Sequence, residues 1–490
     1  MSVTEMHCLP TKFQMIKFRE TYIIYIVILL CGGLFLFWFF HNPVRSFAES
    51  VPGLDNRPPA SAATSDSVII GEHFTRLDST YVSALTGKWP NFRGTEYDNI
   101  NKDNIKLIDK WPTGGPEILW EKELGEGHAA PAIYNGRIYL LDYDERRERD
   151  VLRCFALADG TELWRRGYHV KIKRNHGMSR TIPAVNDKYV VTIGPRCQVM
   201  CNDAITGEMK WGIELVRDYK ATEPLWYTGQ CPFIDNNIAV LAVGGRTLLM
   251  GVDCATGQVV WQTPNPDSLK MSHSSVVPMT IAGKKMYVYH ALGALCGISA
   301  EEGDKGNLLW MSKDFSSSVI APSPVFVGNN RIFVTAGYGA GSALFTINRN
   351  GESFSVQMVQ NFKPSGGMAS EQQTPIYKDG YVFNIQTKDA GANRNQFICC
   401  ASDNFKKILW TSNTTERFGL GPYLVADNKF FILNDEGEMT IARYSTSKFE
   451  VLDKAEVIKG NDAWGPLALA DGMLILRDSK KMVCVNVRAN

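Results

Sequence analysis

The sequence lacks the short motifs that mark most enzyme chemistry. It has no P-loop, no GxGxxG and no GxSxG, so nucleotide binding and α/β-hydrolase catalysis have no support in it. Its eight histidines form no HExxH or HxH set, no two cysteines stand at CxxC spacing, and no CxxCH haem-attachment motif is present. Neither sign of charge is in excess. Lys and Arg number 52 against 51 Asp and Glu, a formal charge of +1, which argues against a general nucleic-acid binder.

What the chain does have begins with one apolar run. Tyr22 to Phe40, YIIYIVILLCGGLFLFWFF, carries no charge over 19 residues. At about 1.5 Å per helical residue it nearly spans a hydrocarbon core. Lys12, Lys17 and Arg19 precede it and Arg45 follows closely. That bias predicts a cytoplasmic N-terminus over 1–21, a transmembrane signal anchor over 22–40 and an extracytoplasmic (periplasmic) remainder. A cleaved signal peptide ending near Ser46–Ala48 is the alternative, for which the run is long and bulky. Residues 41–88 turn to Pro, Ala, Ser and Asp, as in NRPPASAATSD, and read as a tether that buries little.

Beyond the tether the chain repeats. PAIYNGRIY from Pro131 recurs as PAVNDKYVV from Pro183 and PFIDNNIAV from Pro232, and again from Pro278, Pro324, Pro375, Pro422 and Pro466, at intervals of 44 to 52 residues. Each copy is a strand, a turn of Asn, Asp or Gly that accepts positive φ, and a second strand. A second hairpin follows, as in CFALADGTELW to Trp164, CNDAITGEMKW to Trp211 and CASDNFKKILW to Trp410, with weaker versions in the fifth and seventh copies. Two hairpins make a four-stranded antiparallel unit, the blade of a propeller. The eight prolines then mark eight inner strands, whose edge beside the axis tolerates a missing N–H. The last copy stops after three strands, and EILWEKEL around Trp120 has the form of the missing fourth. The expected fold is all-β: an eight-bladed β-propeller over 89–490, its ring closed by an N-terminal strand, preceded by one N-terminal transmembrane helix.

Nine of the eleven cysteines follow the apolar run, and Cys154, Cys201 and Cys400 each lie ten residues before their tryptophan. Equivalent positions in different blades are too far apart to bond, so these read as small buried fillers. Adjacent Cys399 and Cys400 would face opposite sides of a strand, which disfavours a disulfide between them. The charged run DYDERRERD (142–150) reads as a solvated hairpin loop.

Propeller sites sit on the loops that lead into the inner strands, function carried on a rigid scaffold. The binding candidates are therefore His128, Arg180, Glu223, Trp226, Gln230, Ser275, Gln372 and Trp464, with Ser323, Gln373, Tyr227 and Glu371 nearby. This ring is polar and aromatic with one firm positive charge, Arg180, suited to a small polar ligand or a peptide loop. No residue is assigned a catalytic or metal-binding role on this ground.

The phrases DAITGEMKW and DCATGQVVW, and the opening WPNFRGTEYDNI from Trp89, resemble the pyrroloquinoline-quinone-type (PQQ-like, BamB-like) propeller repeat family from about Trp89 to the C-terminus. The resemblance implies the propeller fold and two functional classes. One is a non-enzymatic envelope scaffold like BamB, binding a protein partner or small ligand with no cofactor. The other is a PQQ-dependent alcohol dehydrogenase, in which calcium and the quinone are held by a Glu, an Asn and a catalytic Asp. Glu223, Glu371, Asp462 and Trp464 are available for that role but stand in no dehydrogenase signature. A polysaccharide-binding or hydrolytic propeller is a third reading, without paired carboxylates at readable spacing.

Overall fold

A computed structural model describes residues 12–41 and 68–490 apart from 176, 461 and 490, with backbone alone over 12–21. The greater part of the expected tether, 42–67, lies outside the described residues. Two compact units result, one on either side of Ser65.

Among the described residues the first unit holds one helix, Lys12–Phe40. Its apolar stretch Tyr22–Phe40 has a mean hydropathy of 2.7 and is exposed along its length. Nineteen residues at about 1.5 Å each match the thickness of a hydrocarbon core.

The second unit is an eight-bladed propeller. Blade 1 holds Ala132–Tyr134, Arg137–Asp144, Arg149–Ala156 and Glu162–His169, paired in that order, and blades 2 to 7 repeat the meander. Blade 8 takes Ala468–Ala470, Met473–Arg477 and Lys481–Asn486 from the C-terminus and Glu117–Glu123 from the N-terminal side. Trp120 pairs with Cys484 across that seam, so the ring closes as the sequence predicts.

The prolines stand where the repeat places them. Seven directly precede or lie just before an inner strand, and Pro278 is the second residue of Val277–Ile281, a strand with a ladder partner on one side only. A missing N–H costs nothing there.

Two features hold blades together. In the first, a tryptophan of one outer strand lies on the turn glycine of the next blade. Trp120 covers Gly160, Trp164 covers Gly207, Trp211 covers Gly257 and Trp261 covers Gly306; a Cβ on any of these glycines would fall within 2.6–2.9 Å of the indole. Each of the four glycines has φ between +70° and +89°, which glycine adopts freely. In the second, a side chain just ahead of one inner strand accepts a hydrogen bond from the backbone of the blade before. Ile182 N donates to Cys231 Sγ (3.2 Å), Cys231 N to Ser275 Oγ (2.9 Å), Ser275 N to Ser323 Oγ (3.0 Å) and Ser323 N to Thr374 Oγ1 (2.9 Å). This girdle runs from blade 2 to blade 6. It lapses at blades 7, 8 and 1, where Gly421, Gly465 and Ala130 stand before the prolines and supply no acceptor.

Blade 1 has six strands rather than four. His73–Arg76 pairs with its outer strand and Lys88–Trp89 with its inner strand. Residues 68–88, read from composition as tether, are therefore part of the propeller unit. The short strands sit between polar residues, so their pattern carried little signal.

The nine cysteines from Cys154 to Cys484 are buried free thiols. Cys399 packs with Phe383 and Phe397, and Cys400 packs on the other face with Phe333 and Phe405. Burial pushes the Cys231 thiol up to about 11 and Cys197 to about 12, which keeps them protonated and unreactive.

Candidate functional site

One end of the channel is filled by the chain itself. Residues 89–101, WPNFRGTEYDNIN, run across the inner strands. Val185 N of blade 2 donates to Pro90 O (2.9 Å), and Tyr97 meets Phe233 of blade 3 edge to face at 5.5 Å. Arg93 Nη2 donates to Pro375 O of blade 6 (2.7 Å), and Asn101 Nδ2 reaches Leu469 O of blade 8 (2.8 Å). Asn101 N and Val425 O of blade 7 are joined at 2.8 Å, beside a parallel bridge between Ile100 and Val425. The inner edges that the sequence reading left free are thus partly occupied. Arg93 is 4% exposed, and burial lowers its pKa to about 10. Between this plug and the wall of blades 3 and 4 remains a cavity of about 10 Å³, the scale of a single water.

The other end is the mouth, where the loops leading into the inner strands converge. Trp226 stacks on His273 with ring centroids 6.4 Å apart and meets Tyr338 at 5.8 Å, joining loops of blades 3, 4 and 5. His128 lies flat on Trp464, joining blades 1 and 8 (3.4 Å between centroids, 17° between planes). Gln373 Nε2 donates to Trp464 O and to Leu420 O, both at 3.1 Å. Arg180 donates through Nη2 to the carbonyls of Asn175 (2.6 Å) and Gly177 (3.2 Å). Burial lowers its pKa to about 10. Burial first, and then the charge of Arg180, lowers His273 to about 4, so its imidazole is neutral near pH 7.

The carboxylates of the mouth are matched by cations. Glu223 pairs with Arg196 at 3.1 Å and Glu371 with Lys388 at 3.2 Å, on different blades. Lys388 also lies 5.3 Å from the centre of the Tyr338 ring. Among the described residues no three His, Cys, Asp or Glu side chains are grouped to hold a metal.

From the predicted ring the structure thus brings together His128 with Trp464, and places Arg180 and Trp226 each beside His273. Gln372 is half-buried nearby. Gln230 and Ser275 lie inside the wall instead. Gln230 is fully buried and donates to Ala242 O at 2.7 Å, and Ser275 belongs to the girdle. Tyr338 was not among the predicted residues. Its signal was the glycine-flanked AGYGAG turn between the second and third strands of blade 5, a loop that opens on the same mouth.

The sequence profile of the outer membrane protein assembly factor BamB matches residues 147–400. The chain belongs to this BamB family. Among solved structures, BamB from Moraxella catarrhalis is similar at 11% identity with a TM-score of 0.50, over 76% of this chain and 99% of that one. The quinohemoprotein alcohol dehydrogenase from Comamonas testosteroni is similar at 12% identity with a TM-score of 0.53, over 85% of this chain and 83% of that one. A computationally designed protein, Ika8, matches at 13% identity and 0.50, over 76% of this chain and all of its own. Identities this low show the fold alone. No curated protein matches the sequence.

Proposed function

We propose that this BamB-family chain is a non-enzymatic binding scaffold. It is anchored in a membrane by Tyr22–Phe40, and its extracytoplasmic propeller holds part of a protein partner at the channel mouth. The observation that carries this reading is the filled channel: residues 89–101 lie across one end, which leaves the other, rimmed by aromatic rings and Arg180, for a partner. Trp, Tyr and Arg are the residue types that dominate protein interfaces. A family named for outer membrane protein assembly supports a protein partner in the envelope.

The quinoprotein reading fits the residues less well. Calcium needs several converging oxygen ligands. Glu223 and Glu371 are each neutralised by a cation, and Trp464, the residue available to stack a quinone, is already covered by His128.

Two measurements test the proposal. A photo-crosslinking residue at position 226, in the full-length protein in its native membrane, is expected to give one discrete adduct. Incubation with calcium and PQQ is expected to give no alcohol-dependent dye reduction. Dye reduction, or only diffuse crosslinking, would overturn the reading.

A further inference from the structure

Among the described residues, no carboxylate pairs with the positive charge that Arg180 brings to the mouth. Its buried Nε has no hydrogen-bond partner among them, and Nη2 donates to the carbonyls of Asn175 and Gly177. The nearby acids are engaged elsewhere, Glu223 with Arg196 and Glu371 with Lys388. Keeping a partly buried guanidinium without a counter-ion costs stability. A fold that served only itself would gain from replacing it with an apolar residue.

The backbone around it tells the same story independently. Trp226, Tyr227 and Tyr338 have φ of 63°, 70° and 56°, the left-handed region that bulky residues rarely adopt. Each costs roughly 1–3 kcal/mol, and such strain gathers at binding sites. The turn is held in place by its own anchor. Tyr227 Oη accepts from Lys173 N (2.7 Å) and lies 3.1 Å from Lys173 O, to which it donates. Trp226 is thereby held against His273 and Tyr338, the two rings that feel the charge of Arg180.

We propose that the mouth receives an Asp or Glu carboxylate, presented beside an aromatic residue by the partner protein, with Arg180 as its ion-pair partner and Trp226 and Tyr338 as the walls. This rests on the scaffold reading and names the chemistry it recognises. Planar guanidinium and carboxylate match in two parallel hydrogen bonds, stronger than neutral ones. Nη1, which makes no hydrogen bond among the described residues, is the donor left for the carboxylate. Neutral His273 adds no competing charge near pH 7.

The test uses full-length protein in detergent and two capped dipeptides, Ac-Phe-Glu-NH2 and Ac-Phe-Gln-NH2, followed by saturation-transfer NMR. The Glu peptide is expected to bind at least tenfold more tightly. That preference should vanish in Arg180→Gln and persist in part in Arg180→Lys, which keeps the charge without the planar fork. Trp226→Leu should weaken both peptides alike, and thermal unfolding of each variant reports that the fold is kept. Equal binding of the two peptides by the wild type would sink the carboxylate subsite while leaving the scaffold reading standing. So would a Glu preference that survives Arg180→Gln, because the charge would then lie elsewhere. Binding of neither peptide to the folded wild type also overturns the inference.

Discussion

Trp211 of blade 2 lies against Gly257 of blade 3, so close that a Cβ on the glycine would come within 2.7 Å of the indole. The same turn has φ +75°. Contact and conformation therefore require glycine for separate reasons. Gly380, in the hairpin turn of blade 6, has φ +83° and no atom within 4 Å of an added Cβ. Gly380→Ala is expected to cost about 1 kcal/mol from conformation alone. Gly257→Ala adds overpacking of about 1–3 kcal/mol. Denaturant midpoints of the two variants measure the difference; equal losses would remove the contact from the account.

The girdle predicts a local effect. Ser323→Ala deprives the Ser275 amide of its acceptor in a buried place, at a cost of about 1–3 kcal/mol. Hydrogen exchange followed by mass spectrometry should show faster exchange at residues 272–277, with blade 8 unaffected. Unchanged exchange there would mean that the hydroxyl is dispensable.

Asp150 predicts a pH dependence. Burial raises its carboxyl to about 7, against hydrogen bonds from Tyr168 Oη (3.0 Å) and Ser179 Oγ (3.2 Å), and the charge of Asp142 adds to the rise. The unfolded chain titrates near 3.9. Between these values the native state holds a proton that the unfolded state has released, so this group's contribution to stability falls as pH rises from about 4 to about 7 and then levels off. Asp150→Asn should flatten that slope and unfold at higher temperature than the wild type at pH 8. A variant with the wild-type slope would show that Asp150 does not titrate in this window.

His273 predicts the opposite trend. Its folded pKa of about 4 lies below the ordinary 6.5, so its contribution is whole above about 6.5 and is lost as pH falls through 4. Proton NMR of the imidazole should show no titration above about pH 5, and His273→Gln should reduce the acid-side loss of stability. An imidazole titrating near 6.5 would place the ring in solvent.

The parts of this fold legible in the sequence are those built from local turns. A glycine at positive φ followed by strand and tryptophan recurs at Gly160, Gly207, Gly257 and Gly306 because each blade needs the same seat for its neighbour. The phrase fades in blade 5, where the outer hairpin extends to ten-residue strands, Gly341–Asn350 and Ser353–Phe362, and Gly351 has nothing near its added Cβ. The plug was not legible. Arg93 looks like any charged residue, and its partner Pro375 is 282 residues away. Gln230 and Ser275 illustrate the limit at the mouth. Position before a proline names the loop, but whether a side chain faces the opening or the wall depends on partners the loop does not name, Ala242 of the same blade for Gln230 and Cys231 of the preceding blade for Ser275.

The seam in blade 8 also sets a timetable. Glu117–Glu123 leaves the ribosome long before its ladder partner, Lys481–Asn486, has been made. No fragment that stops short of that partner can complete the circle, and closing so long a loop makes for slow folding. Until the partner strand arrives, the earlier one has a bare edge, an aggregation hazard for whatever machinery escorts the nascent chain.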